Sequence, residues 1–120
     1  MAAGVRVSLF VDPEDAAVRW AAAVGADRVE LYTEPFARAF AEGPEPARRS
    51  FGRYSAAAVA ASSAGLGVNA GHDLDLDNLT LFRTLPNLAE VSIGHALISR
   101  ALFVGLDRAV RDYVAAVSGS

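Results

Sequence analysis

Short apolar runs alternate with helical repeats four times along this chain. Residues 5–11 are a nearly continuous apolar run, the pattern of a strand covered on both faces of a parallel sheet. Residues 28–32 form a shorter, alternating strand in which Val29 and Leu31 point one way and Glu30 the other. Residues 67–70 and 89–93 supply the third and fourth strands. The first helical stretch opens at Asp12-Pro13-Glu14-Asp15, with a capping carboxylate, a proline for the first helical position and acidic first-turn residues. Ala17, Trp20, Ala21 and Val24 then recur at helical spacing up to Gly25, which predicts Trp20 on the inner face. Residues 47–64 read as an alanine-rich helix closed by Gly65. Asp75 or Asp77 caps a brief helix through Arg83, stopped by Pro86, and residues 96–105 and 107–117 read as two closing helices. The stretch 33–46 contains Pro35, Pro44, Pro46 and Gly43, too many breakers for regular structure throughout, and is predicted to be a long loop. Ala2-Ala3-Gly4 reads as the end of a helix with no helix before it, so a fragment or an unusual start is expected.

The order βαβαβαβα demands an α/β fold with parallel strands and right-handed crossovers. Four βα units are half of an eight-stranded barrel. Alone they leave two open edges, so the chain is either an open sheet or has its edges covered by another copy or another half. Residues 1–120 carry no interdomain linker and are read as one domain.

Composition narrows the chemistry. The chain is 52% hydrophobic and 21% charged, which is globular rather than disordered. A net charge of -3 offers nucleic acid no basic field. All 11 cationic side chains are arginine, which removes Schiff-base lysines and the lysine of a phosphate loop. With no cysteine there is no disulfide framework, thiolate nucleophile or thiolate metal site. No signal peptide is recognised, and no apolar run approaches the roughly 20 residues of a membrane span. A soluble, cytoplasmic protein is therefore expected.

In parallel α/β folds, functional groups gather where strands end and helices begin. Here those positions carry Asp12, Glu30 with Thr33, His72 with Asp73, and Gly94 with His95. Both histidines of the chain follow a glycine at a strand end, in Val68-Asn69-Ala70-Gly71-His72-Asp73 and in Val91-Ser92-Ile93-Gly94-His95. His72 is a candidate general acid or base, since imidazole titrates near neutrality, against the plainer reading of a histidine hydrogen-bonded in a loop. Glu30 points either into a barrel interior, as an acid/base candidate with a raised pKa, or into solvent as a solvated or arginine-paired carboxylate. Gly94-His95 precedes a helix whose first N–H groups can face an anion. Neither His-x-x-x-His nor His-x-His spacing is present, and no metal is expected. Asp73, Asp75 and Asp77 imitate the opening of a calcium loop, but Asn78 stands where the loop needs glycine and Thr84 where it needs glutamate.

The strand-end motifs Val7 to Asp12, Val29-Glu30-Leu31-Tyr32-Thr33, Val68 to His72 and Ser92 to Ala101 together resemble the second half of the pyridoxine 5'-phosphate synthase family. The resemblance runs across nearly the whole chain, with the motifs in the family's order. It implies a (βα)4 half of a TIM (β/α)8 barrel and a role in vitamin B6 biosynthesis. That family condenses 1-deoxy-D-xylulose 5-phosphate with 3-amino-2-oxopropyl phosphate to give pyridoxine 5'-phosphate, phosphate and water. Carried over by motif, His72 is the proton donor and Glu30 the carboxylate that stabilises a transition state. Asp73, Gly94 and His95 line the site of the phosphorylated amino ketone. The implied steps are imine formation, enolisation and dehydration, which need movable protons; no cofactor is expected. A homo-oligomer is implied as well. Asp73 and Glu34 stand where the family commonly has glycine, so a carboxylate beside a phosphate must turn away and the loop after Glu34 is expected to differ. The family's first half supplies its own histidine and glutamate, so the 120 residues alone are expected not to turn over.

Three readings compete. One is a synthase half that works within a full barrel. Another is a non-catalytic phosphate-binding half-barrel that self-associates, and the third is a structural sheet domain without ligand. The first expects a partner half, the second phosphate uptake without product, and the third indifference to loss of His72 and His95.

Overall fold

The structure is a computed structural model that describes residues 7–118. Its first strand, β1 (Ser8–Val11), is followed by helix α1 (Asp15–Ala23), strand β2 (Arg28–Tyr32), and helices α2 (Glu34–Glu42) and α3 (Pro44–Ser63). Strand β3 (Gly67–Gly71), the short helix α4 (Leu79–Phe82) and strand β4 (Leu88–Ser92) come next, and α5 (His95–Val104) and α6 (Leu106–Ser118) close the chain. The expected helix end at residues 2–4 lies outside the described residues.

The four strands pair in sequence order, β1-β2-β3-β4, and every pairing is parallel. Each strand therefore lies beside its successor with no reversal of order, as in a βα-barrel rather than a doubly wound sheet. The register lines up Val11, Leu31, Ala70 and Val91 across the sheet. Val29, Leu31, Val68 and Ala70 share one buried core with Val18 and Ala21 of α1 and Ala57, Ala58 and Ala61 of α3. The alternate positions face the other way, where Phe10 is 68% exposed and Glu90 and Ser92 are open to solvent. The fold is thus an α/β sheet with helices on one face and an open second face, compatible with half of a barrel.

The alternating strand at 28–32 appears with the predicted bounds, and the third and fourth strands within one residue of theirs. The predicted loop at 33–46 is instead helical. Pro35 sits in the first turn of α2, and Pro44 and Pro46 in the first turn of α3, where a missing N–H costs nothing. Gly43, with φ +137°, makes the single break between the two helices. The prolines start helices here rather than prevent them. Trp20 is also corrected: it is 56% exposed, because Val18 and Ala21 define the buried stripe of α1. Asp12 does not cap α1. The segment forms a turn in which the Glu14 N–H donates to the Asp12 carbonyl (2.7 Å), and the helix begins only at Asp15. Neither aspartate offered as a cap for α4 is its N-cap, which is Asn78; Asp75 instead fastens the turn before it, its Oδ1 accepting the Asn78 N–H (2.8 Å) and Asn78 Oδ1 accepting the Asp75 N–H (2.9 Å). Among the described residues no helix is long and apolar enough to cross a membrane.

Candidate active site

The open face of the sheet is built from alternate residues in register. Phe10, Glu30, Asn69 and Glu90 form one row, and Tyr32, Gly71 and Ser92 the row above it. Arg28, one row below, donates to Asn69 Oδ1 (3.1 Å) and lies 3.7 Å from the Glu90 carboxylate. Of the two directions open to Glu30, the structure places it on this helix-free face. Among the described residues no arginine pairs with it. Desolvation, and then repulsion by Glu90, raise its pKa above the ordinary value.

Gly71 makes room for that carboxylate. A Cβ built at Gly71 would come within 2.8 Å of Glu30 Oε2 and 3.0 Å of Ser92 Cβ, so any side chain there would push the carboxyl group out of its bed. Just beyond Gly71 the chain turns sharply: His72 has φ +109° and Asp73 φ +59°, both left-handed for non-glycine residues. The turn brings the His72 ring against the Tyr32 ring, with centroids 4.9 Å apart and planes tilted by 53°. The Asp73 carboxylate lies 3.3 Å from His72 Nδ1, an ion pair when the imidazole is protonated. The carboxylate that stands where a glycine is common is therefore turned to the histidine. Glu34, the other departure, opens α2 and pairs with Arg38 one turn along it.

An open cleft of about 420 Å³ is lined by Phe10, Glu30, Gly71, His72, Asp73, Ser92 and Gly94. Glu30, His72, Asp73 and Gly94 are thereby brought together at the C-terminal ends of β2, β3 and β4. His95 opens α5 directly after Gly94, so the first N–H groups of that helix begin at the same rim. Asp12, the fourth strand-end candidate, is exposed and does not line the cleft. Among the described residues no three His, Asp or Glu side chains are grouped to hold a metal ion. Tyr32 and Ser92 were not singled out from the sequence. Tyr32 follows Glu30 by two residues and Ser92 follows Glu90 by two, and that period is the signal that places them on this face.

The raised Glu30 pKa gives a stability prediction. Folding favours the protonated carboxyl, so its contribution is present below the ordinary value of 4.5 and lost as pH rises through the higher folded value. Glu30→Gln keeps the shape and cannot ionise. Denaturant melts are therefore expected to show the variant gaining on the wild type across that window and holding its advantage at neutral pH. Curves that stay parallel from acid to neutral pH would contradict this.

The chain matches the family described as Pyridoxal phosphate biosynthesis protein PdxJ over residues 1–119. It is 57% identical over 113 residues to a pyridoxine 5'-phosphate synthase of Cytophaga hutchinsonii, covering 93% of this chain and 46% of that protein. It is 53% identical to the synthase of Bacteroides fragilis (92% and 46% covered) and 52% identical to that of Albidiferax ferrireducens (96% and 45%). The chain thus spans just under half the length of the curated relatives it matches. The resemblance carried by the strand-end motifs is borne out: the chain belongs to the pyridoxal phosphate biosynthesis protein PdxJ family.

Proposed function

We propose that this chain supplies the C-terminal half of a TIM-barrel pyridoxine 5'-phosphate synthase, condensing 1-deoxy-D-xylulose 5-phosphate with 3-amino-2-oxopropyl phosphate. The observation that carries the reading is one cleft holding Glu30, His72, Asp73 and Gly94 at the C-terminal strand ends of a chain of this family. In the proposed mechanism His72 gives a proton to the oxygen that leaves as water during dehydration. Tyr32 and Asp73 flank its ring, the Asp73 carboxylate 3.3 Å from Nδ1, and so hold it in the cleft. Ionised, Glu30 stabilises the positive charge that develops on the imine nitrogen, and its desolvated setting strengthens that effect. Gly94, His95 and the backbone of Asp73 hold the phosphate of the amino ketone, with the amino end of α5 behind it. Turning the Asp73 carboxylate toward His72 keeps it from repelling that phosphate.

The partner we propose is the other half of the barrel, in a homo-oligomer of the cytoplasm. An apolar hollow of about 530 Å³ beside β4, lined by Val91, Ile93, Leu97, Val110 and Val114, offers that half a seat. The alternative is a non-catalytic half-barrel that binds phosphate and pairs with a second copy over the same hollow. The test uses two samples and both substrates. The native assembly from its host is expected to form pyridoxine 5'-phosphate, and the 120-residue chain alone is expected to form none. A native assembly that takes up phosphate and makes no product favours the alternative. Product from the isolated chain overturns the half-barrel role.

A further inference from the structure

Strand alternation alone would turn His72 away from the site. Glu30 and Tyr32 face the open side, Gly71 is in register with Tyr32, and so the next residue of an extended β3 would face the helices. The left-handed φ of His72 reverses this and brings its ring over Tyr32 at the cleft. Something must hold two successive non-glycine residues in a conformation that L-residues rarely adopt.

Two buried side chains do so. Thr33 is 0% exposed; its hydroxyl donates to the His72 carbonyl (2.5 Å) and its N–H to the Gly71 carbonyl (3.1 Å). Asn78 is 2% exposed; its Nδ2 donates to the Asp73 carbonyl (3.1 Å), while its own position is fixed by the reciprocal bonds with Asp75. Three consecutive carbonyls, those of Gly71, His72 and Asp73, are thus held from β2 on one side and from the head of α4 on the other. We propose that Thr33 and Asn78 are positioning residues, which aim the His72 imidazole by locking the backbone that carries it. The inference rests on His72 being the proton donor of the proposed reaction.

The experiment compares Thr33→Val, which keeps the shape and loses the hydroxyl, with Thr33→Ser, which restores it, in the native assembly. Steady-state kinetics are expected to show kcat falling about tenfold or more in Thr33→Val, with KM little changed. Thr33→Ser is expected to return close to wild type. Proton NMR gives a readout independent of turnover: the His72 ring signal, assigned by its loss in His72→Asn, is expected to carry a ring-current shift from Tyr32. That shift should vanish in Thr33→Val and persist in Thr33→Ser. A wild-type kcat and an unchanged shift in Thr33→Val overturn the proposal, as does a serine variant as impaired as the valine one. Should Thr33→Val not fold, Asn78→Ser, too short to reach the Asp73 carbonyl and uncharged, is expected to lower kcat and weaken the same shift; no change in either is the overturning result. A wild-type assembly that makes no product sinks the functional reading instead, and the NMR comparison then still decides whether Thr33 aims the ring.

Discussion

Replacing His72 with glycine is expected to lower kcat about a hundredfold or more while leaving the thermal midpoint no lower than that of the wild type. The two halves of this result have separate causes. Loss of the imidazole removes the proposed proton donor of the cleft. Loss of the Cβ relieves a backbone held at φ +109°, a conformation that costs a non-glycine residue about 1–3 kcal/mol and costs glycine little. The exposed ring contributes little burial to set against that relief. Product assays and thermal melts on the same samples check the pair. A variant that loses activity only because it unfolds would show that His72 is a structural residue, and full activity would remove it from the mechanism.

Phe36→Ala is expected to cost about 3–5 kcal/mol, the largest single-site loss of stability anticipated for this chain. Phe36 is 0% exposed, and its ring meets those of Phe40, Phe51, Tyr54 and Phe82 at centroid distances of 6.0, 6.2, 6.0 and 4.9 Å. These rings come from α2, α3 and α4, so one truncation opens a cavity where three helices meet. The damage extends toward the site. Tyr54, whose hydroxyl burial pushes up to about 12, donates to the Tyr32 carbonyl (2.6 Å), and Tyr32 carries the ring against which His72 rests. The comparison variant is Phe103→Ala, of the same volume change but 89% exposed, expected to cost no more than about 0.5 kcal/mol. Denaturant titration of both decides the matter. Equal losses would mean that the aromatic cluster is not the core of this half.

The strands and their chemistry were legible because period-two alternation and strand-end glycines are local signals. Glu30 could be given a face only up to an ambiguity, since alternation says that it opposes Val29 and Leu31 without saying which side the helices cover. The helices hidden at 34–46 were missed for a definable reason: a proline within a first turn and a proline within a loop look alike until the N-terminus is known. Trp20 was misplaced because helical spacing fits several faces, and only the tertiary contacts of Val18 and Ala21 choose one. The role proposed for His72 came from family resemblance, whereas its geometry did not. A left-handed histidine depends on Thr33, 39 residues earlier, and no pattern within the Gly-His motif announces that bond.

The exposed position of Trp20 has a consequence for how this protein can be watched. It is the chain's single indole, and it already stands 56% in contact with water in the folded state. Its emission therefore changes little when the core comes apart, and a tryptophan-detected melt would under-report unfolding that the buried tyrosines and the helical dichroism register. What would move the indole to an apolar setting is a surface laid against α1. The chain's only tryptophan is a poor gauge of its folding.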